Sequence, residues 1–305
     1  MAVTTDTFVH EALLYEGVQG FVDGTLPFLR EGLDAGEPML VVVGPEKIAR
    51  LRAALDADAD AVRFVDMTVL GRNPGRIISA WWDFVDEYPD RPIRGIGEPV
   101  WADRSAAELV ECQLHESLLN LAFGQTGPFR LMCPYDVAAL GDGPVHEARC
   151  SHPLVDSRAS AHYRGAERLL SPFEAPLPAP VAPAGFTGFD AHSLDEVRST
   201  VADWAGSAGL SRMRTGDLVL AVNEAAANSV IHGGGHGVLR AWSESGSLVC
   251  EVRDRGRITD PLVGRRRPAP DATSGRGVWI VHQACDLVQL RSGADGTVVR
   301  MHMAA

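Results

Sequence analysis

The sequence predicts an α/β domain followed by an α+β domain. Three observations lead to this expectation: apolar runs alternate with helical patterns in the first half, a proline-rich segment interrupts the chain, and helices precede paired strands in the second half. A chain of 305 residues has room for about two domains. We therefore expect one domain at residues 1–170, a linker at 171–185 and a second domain at 186–305.

The first domain has the pattern of a mostly parallel sheet flanked by helices. Residues 39–43 (MLVVV) are wholly apolar and rich in β-branched side chains, which is typical of a strand buried on both faces. The same criteria predict further strands at 62–65, 93–96 and 129–133, and helices at 21–33, 48–55, 76–88 and 106–123.

The segment 171–185 (SPFEAPLPAPVAPAG) contains five prolines among alanines. Proline lacks a backbone N–H and does not continue a helix, so the segment is predicted to be an extended, semi-rigid spacer.

The second domain is predicted to place helices on one face of a mixed sheet. Ser193, with Glu196 three residues later, has the pattern of a capping box for a helix at 193–207, and Thr215 is a candidate cap for a helix at 215–231. The remaining elements are strands at 237–243 and 247–254, a helix at 277–285, and strands at 287–292 and 297–303.

Composition excludes several classes of protein. The chain has no 18-residue apolar run, and its N-terminus lacks a basic region followed by an apolar one, so we expect a cytoplasmic protein without a membrane span or secretory signal. A net charge of −12 argues against direct nucleic-acid binding. Five cysteines without a CxxC pair indicate reduced thiols.

Three segments of the second domain carry candidate chemistry. Glu224, Asn228 and His232 recur every four residues, so they project from one helix face. Taken alone, this stripe is weak evidence, because such a pattern more often forms a solvent-facing surface without a role. Asp254 ends a strand and is followed by Gly256, which also fits an ordinary turn.

The third segment, 273–277 (TSGRG), opens a helix with a glycine-rich loop. Backbone N–H groups at such a helix start form an anion site, although an ordinary loop has the same composition. The preceding loop, 257–272, contains three consecutive arginines and is placed where it could fold over bound phosphates, or could remain a solvated surface loop.

The order of these segments resembles that of the GHKL ATPases, and within them the anti-sigma-factor serine kinases. The resemblance covers residues 186–305 and implies ATP and Mg2+ as cofactors. It implies that Glu224 is the general base, that Asn228 is the magnesium ligand, and that Asp254 binds the adenine amino group. It also implies that ATP is contacted by the remaining candidates, which are His232, Gly256, Gly275, Arg276, Gly277 and Thr297.

The N-terminal domain resembles the DcmR-type sensory domain, also called MEDS. The residues that carry the resemblance are 8–10 (FVH), 14–15 (LY), 21–43, 133–136 (CPYD) and 151–153 (SHP). It implies a RecA-like fold that senses a small ligand of unknown type. The segment 44–47 (GPEK) is too short for a phosphate-binding loop, so we expect no ATP hydrolysis in this domain.

Taken together, the resemblances predict a sensory regulator of transcription that acts as a serine protein kinase on a STAS-type antagonist and thereby on a sigma factor. The alternative is an ATP-gated interaction switch without catalysis, because Ile258 stands where the family often has a second glycine (D-x-G-x-G). A sensor histidine kinase is disfavoured, since no second dimerisation helix fits before Glu224. A homodimer is left open.

The first domain also contains candidate metal ligands. His146, Cys150 and His152 have donor atoms that suit zinc or haem iron, and His10 or Cys133 could join them. Their spacing matches no standard site, so ordinary buried or surface residues are predicted at these positions.

Overall fold

The structure is a computed structural model that describes residues 7–165, 170–180, 185–269, 271–272 and 275–305. Parts of the predicted spacer (181–184) and of the predicted loops (270, and Thr273 and Ser274) lie outside the described residues. The chain divides into two compact units, Met1–Leu170 and Ser171–Ala305, and each has its own sheet.

The N-terminal unit is built on a mostly parallel sheet with the strand order β3-β2-β4-β5-β1-β6-β7. Every neighbouring pair is parallel except the short hairpin of β6 and β7. The strands are β1 (Val9–Tyr15), β2 (Met39–Val43), β3 (Val62–Asp66), β4 (Ile93–Gly97), β5 (Phe129–Asp136), β6 (Leu154–Val155) and β7 (Arg158–Ala159).

Helices cover both faces of this sheet. Ile96 on β4 packs into the core formed with α1 and α2, whereas a Cβ placed on its neighbours Gly95 or Gly97 would touch Trp81 of α4. Successive residues of a strand point to opposite faces, so the two sets of helices lie on opposite sides. The helices are α1 (Gly17–Asp34), α2 (Pro45–Leu55), α3 (Met67–Leu70), α4 (Ile77–Glu87), α5 (Ala106–Phe123) and α6 (Asp142–Ser151).

The C-terminal unit contains a sheet with the order β11-β12-β10-β9-β8. All of its pairs are antiparallel, so the prediction of a mixed sheet is wrong. Short turns join β9 to β10 and β11 to β12, and such turns permit only antiparallel pairing. The elements are α7 (Ser171–Glu174), β8 (Gly185–Asp190), α8 (Leu194–Ser207), α9 (Arg212–His232), β9 (His236–Glu244), β10 (Ser247–Asp254), α10 (Arg276–Ala284), β11 (Leu287–Gly293) and β12 (Gly296–Ala304).

The start of the predicted spacer is not extended. Ser171–Glu174 forms a helical turn, and Phe173 and Leu177 are buried in the C-terminal unit. The Pro178 carbonyl accepts a 2.7 Å hydrogen bond from Arg300 of β12. Apolar residues between the prolines therefore attach this segment to the sheet.

Ser193 is the N-cap residue of α8, as predicted, but without a capping box, whereas the predicted cap of α9 at Thr215 is wrong. The Ser193 hydroxyl accepts a hydrogen bond from the Asp190 N–H (2.8 Å) and makes no cap bond to α8, so no capping box forms there. Helix α9 begins before Thr215, at Arg212, and its cap is Ser211, whose hydroxyl accepts from the Arg214 N–H at 3.4 Å. Local bonding in the preceding turn decides which serine is free to cap a helix.

Candidate nucleotide-binding site

The second half of α9, the ends of β10 and β12, and the start of α10 enclose a cavity of about 310 Å3. Seven of the nine predicted site residues line it: Asn228, His232, Asp254, Gly256, Gly275, Gly277 and Thr297. The other lining residues are Ala225, Gly233, Arg257, Ile258, Val263, Val278, Val281 and Val299. Four separate parts of the sequence thus converge on one cavity, whose walls are largely apolar.

The Asp254 carboxylate is held at both oxygens. The Ser229 hydroxyl donates a 2.6 Å hydrogen bond to Oδ2, and the Gly256 N–H donates a 2.7 Å bond to Oδ1. Ser229 is fully buried on α9, and its Oγ also contacts the Ala225 carbonyl at 3.1 Å. A carboxylate oxygen accepts more than one hydrogen bond, so Asp254 keeps acceptor capacity for a ligand amine.

Two glycines allow the end of α9 and the turn after β10 to pack closely beside Asp254. A Cβ on Gly233, directly after α9, would lie 2.4 Å from Asp254 Cγ. A Cβ on Gly256 would lie 2.7 Å from the His232 carbonyl oxygen. Any larger residue at either position would displace the aspartate or the end of α9.

Thr297 belongs to a chain of hydrogen bonds that fixes the turn after β10. Its hydroxyl donates to the Gly256 carbonyl at 2.9 Å, so the 2.9 Å contact with Ser292 is donated by the Ser292 hydroxyl. The Ile258 N–H in turn donates to Ser292 Oγ at 2.7 Å. Thr297 thus acts on the shape of the cavity through Gly256 as well as by lining it.

Glu224 and Asn228 lie one helical turn apart against the start of α10. A Cβ on Gly277 would be 3.0 Å from Glu224 Oε2 and 2.9 Å from Asn228 Nδ2. Both side chains are half-buried. Glu224 is outside the cavity lining but borders it through its proximity to Asn228 and Gly277.

Helix α10 points its N-terminus at the cavity. Its cap, Gly275, has a φ of 83°, a left-handed conformation that glycine adopts without strain, and Gly277 lies in the first turn. Unpaired N–H groups in the first turn of a helix attract anions. Arg276 is exposed, is not part of the lining, and donates a 3.4 Å hydrogen bond to the Ala269 carbonyl.

The loop before α10 packs on that helix in the part that the structure describes. A Cβ on Gly264 would lie 2.6 Å from Val278, and Val263 lines the cavity. The Arg267 guanidinium lies 5.8 Å from the Trp279 ring centroid. The loop thus borders the cavity on one side and α10 on the other.

This geometry combines apolar walls, one oriented carboxylate and a helix N-terminus, as expected of a site for a flat base joined to an anionic group. Residues 189–303 match the family model of the histidine kinase-like ATPase domain. Residues 9–153 match the model of the MEDS domain, described as the methanogen/methylotroph, DcmR sensory domain. The chain joins a MEDS domain to a histidine kinase-like ATPase domain.

The resemblances seen in the sequence are therefore confirmed for both domains, and the ATPase domain implies nucleotide binding.

A crystal structure of the RsbU and RsbW domains of a protein from Mycobacterium tuberculosis is 21% identical, with a TM-score of 0.31. That match covers 40% of this chain and about a third (33%) of the crystallised chain. A comparison with curated proteins found no match. Within the described residues, no helix is long and apolar enough to span a bilayer.

Two features of the ATPase domain site were not predicted. Ser229 orients Asp254, and Gly233 makes room for it, yet neither residue belongs to the sequence motifs. The three consecutive glycines at 233–235 are a signal for Gly233, because such a run after a helix indicates close approach of another backbone. Ser229 carries no such signal.

Proposed function

We propose that the ATPase domain binds Mg-ATP and phosphorylates a serine of a STAS-type antagonist, in the manner of anti-sigma-factor kinases. The observation that carries this proposal is the convergence of Asn228, Asp254 and the first turn of α10 on one cavity. The MEDS domain would sense a small ligand and control the reaction. The antagonist and a sigma factor would be the protein partners, in the cytoplasm.

Adenine binding would rest on Asp254. Its carboxylate is pre-oriented by Ser229 and the Gly256 N–H, so accepting a hydrogen bond from the exocyclic amine would require little rearrangement. The valines of the lining offer an apolar surface to the ring faces. Gly256 and Thr297 would hold the turn beneath the base.

The phosphates would lie at the start of α10, where Gly275 and Gly277 present the backbone without a bulky side chain. His232 and Arg257 line the same cavity and would contribute positive or hydrogen-bonding groups. Arg276 would reach the phosphates only after leaving the Ala269 carbonyl.

The donor groups fit a magnesium ion. The Asn228 amide and the Glu224 carboxylate both lie against Gly277, and oxygen atoms of this kind are the ligands that Mg2+ prefers alongside phosphates and water. Asn228 would hold the ion, which when bound neutralises phosphate charge.

Glu224 would act as the general base. Its carboxylate would accept the proton of the partner's serine hydroxyl as the serine oxygen bonds to the γ-phosphorus. The bond between the γ-phosphorus and the bridging oxygen would break, and ADP would leave with that electron pair. Half-burial against α10 limits the positions that this carboxylate can take.

The test is phosphoryl transfer from labelled ATP to the cognate STAS protein. Glu224→Gln should lower the rate by about 100-fold or more, because the amide cannot accept the proton at neutral pH. Glu196→Gln on α8 is the matched control, since Glu196 is exposed and outside the cavity. Equal rates for wild type and Glu224→Gln would remove Glu224 from this role.

The second candidate is an ATP-gated interaction switch without catalysis. It is favoured by the loop before α10, because Val263 lines the cavity and Gly264 packs on Val278, so a bound nucleotide would contact the loop directly. Partner binding that depends on nucleotide, with no phosphorylated product, would favour this function over the kinase.

A further inference from the structure

Four buried side chains with metal-ligating atoms meet inside the N-terminal unit. They are His10 on β1, Glu116 on α5, Cys133 on β5 and His152 directly after α6, and none is more than 2% exposed. One donor atom from each lies within 4.8 Å of the corresponding atoms of the other three. Buried polar groups normally pair with partners that satisfy them, so this cluster calls for an explanation.

The spacing of the donor atoms suits a tetrahedral ion. His10 Nε2 lies 3.2 Å from Glu116 Oε2 and 3.3 Å from Cys133 Sγ, and His152 Nε2 lies 3.3 Å from the same Glu116 oxygen. Bonds of about 2.0–2.3 Å to a tetrahedral Zn2+ place the ligand atoms about 3.3–3.6 Å apart.

The hydrogen bonds around the cluster fix the orientation of His10. The Asn120 amide nitrogen donates to the carbonyls of Glu116 (3.2 Å) and Ser151 (2.8 Å), so its oxygen faces His10. His10 Nδ1 therefore donates to Asn120 Oδ1 at 3.1 Å. In the neutral imidazole, the Nε2 lone pair then points toward Glu116 and Cys133.

His152 is oriented in the same way. Its Nδ1 lies 2.8 Å from the Ala148 carbonyl, which only accepts, so this nitrogen carries a proton, and in the neutral imidazole Nε2 carries the lone pair. An imidazole whose far nitrogen donates to a protein oxygen is the usual arrangement of a metal-bound histidine.

The Glu116 carboxylate is buried, and a bound cation would compensate its charge. Glu116 Oε2 lies 3.2 Å from His10 Nε2 and 3.3 Å from His152 Nε2, and within the described residues neither Glu116 oxygen nor His152 Nε2 makes a hydrogen bond. An isolated carboxylate in such a place is costly.

We propose that His10, Glu116, Cys133 and His152 bind one divalent transition-metal ion of the zinc type. Binding would displace the Cys133 proton to solvent, and the thiolate and carboxylate together would balance the charge of the ion. The four ligands come from two strands, a helix and a loop, so the ion would join the centre of the sheet to α5 and the end of α6.

A cavity borders the cluster at Glu116. This residue also lines a cavity of about 200 Å3 together with Tyr135, Gln113 and Ser151.

His146 and Cys150, which the sequence grouped with His152, instead contact each other at 3.6 Å and are not part of this cluster. Sequence spacing failed here because two of the four ligands lie on strands that become neighbours only in the folded sheet.

The test is metal analysis and cobalt titration of the tag-free, full-length protein. We expect about one equivalent of zinc per chain, or uptake of Co2+ to about one equivalent with the visible bands of tetrahedral cobalt and a near-ultraviolet thiolate charge-transfer band. Cys133→Ala should lose the charge-transfer band. Cys250→Ala, a matched change of a buried cysteine in the other unit, should keep it.

A second variant covers the case in which Cys133→Ala fails to fold. Glu116→Gln preserves side-chain volume and should weaken cobalt binding at least about tenfold. Loss of a group that only supports a metal ligand already costs about that much. Wild-type protein that neither contains nor takes up metal would overturn the proposal. The same holds for a charge-transfer band that persists in Cys133→Ala, or for cobalt affinity that is unchanged in Glu116→Gln.

Discussion

The Ser229 hydroxyl donates a 2.6 Å hydrogen bond to Asp254 Oδ2 across the boundary between α9 and β10. This bond fixes α9, which carries Glu224 and Asn228, to β10, which ends beneath the cavity. The position of the carboxylate therefore depends on a residue that would not touch ATP in the proposed complex.

Ser229→Ala is expected to weaken ATP binding about tenfold, because Asp254 loses a charge-assisted hydrogen bond and its orientation. Isothermal titration calorimetry with Mg-ATP measures the change. Ser199→Ala on α8 is the control, since Ser199 makes the same type of bond to a carbonyl four residues earlier but is exposed. Equal affinities for the two variants would show that Ser229 does not act through Asp254.

Gly277→Ala is expected to weaken ATP binding and to lack the gain in the free energy of unfolding that alanine usually gives over glycine in a helix. The added methyl group would lie within 3.0 Å of both Glu224 and Asn228 and must push them or α10 aside.

The control for this change is Gly216→Ala on α9, where nothing lies within 4 Å of the new Cβ. Alanine favours helix over glycine by up to about 1 kcal/mol, so this variant should be unchanged or more stable. Urea unfolding of both variants gives the comparison, and a stabilised Gly277→Ala would contradict the close packing of α10 on α9.

The Glu251 carboxylate should make the stability of the C-terminal unit depend on acid pH. Burial would raise its pKa, but hydrogen bonds from Arg253 (2.6 Å) and Arg300 (2.7 and 2.9 Å) outweigh burial and hold the pKa below the ordinary value of 4.5. A carboxyl group whose pKa is lowered by folding stabilises the folded state at pH values above its unfolded-state pKa. This stabilisation is lost as the pH falls through the folded-state pKa.

Denaturant unfolding at neutral pH and at about pH 4 and below tests this effect. Wild type should lose stability below pH 4.5, and Glu251→Gln should lose less over the same interval while being less stable at neutral pH. Glu196→Gln, on the exposed face of α8, should follow the wild-type curve. Parallel curves for wild type and Glu251→Gln would refute the assignment.

Lys47→Met should destabilise the N-terminal unit by about 3 kcal/mol. Lys47 Nζ lies 2.6 Å from the Glu98 carboxylate, which is only 4% exposed, and Tyr15 donates to the same group at 2.5 Å. Removing the ammonium leaves a buried charge, whose pKa burial already raises.

The control for Lys47 is Arg50→Met on the same helix. Arg50 forms an exposed pair with Glu46 at 3.9 Å, and such pairs contribute at most about 1 kcal/mol. Thermal unfolding of the two variants should separate them clearly. A similar small loss of stability in both variants would mean that the Lys47–Glu98 pair contributes little to the free energy of unfolding.

Much of the fold could be predicted from local patterns. The run at Met39–Val43 is a fully buried strand, and Ala106–Phe123 is a helix with the predicted bounds. Two predictions failed: Ser193 bonds to Asp190 and not to its helix, and Phe173 anchors a segment whose prolines suggested an extended chain. A backbone partner in the preceding turn decided the first case, and burial against distant strands of the sheet decided the second.

The sequence by itself determined the two domain types and the order of the site segments, because helical and strand periodicity, glycines and the spacing of Glu224 and Asn228 are local properties. Only the tertiary structure decided that Ser229 holds Asp254, and that His10, Glu116, Cys133 and His152 share one buried cluster. These contacts join residues far apart in the chain, and they depend on which strands become neighbours when the apolar faces are buried.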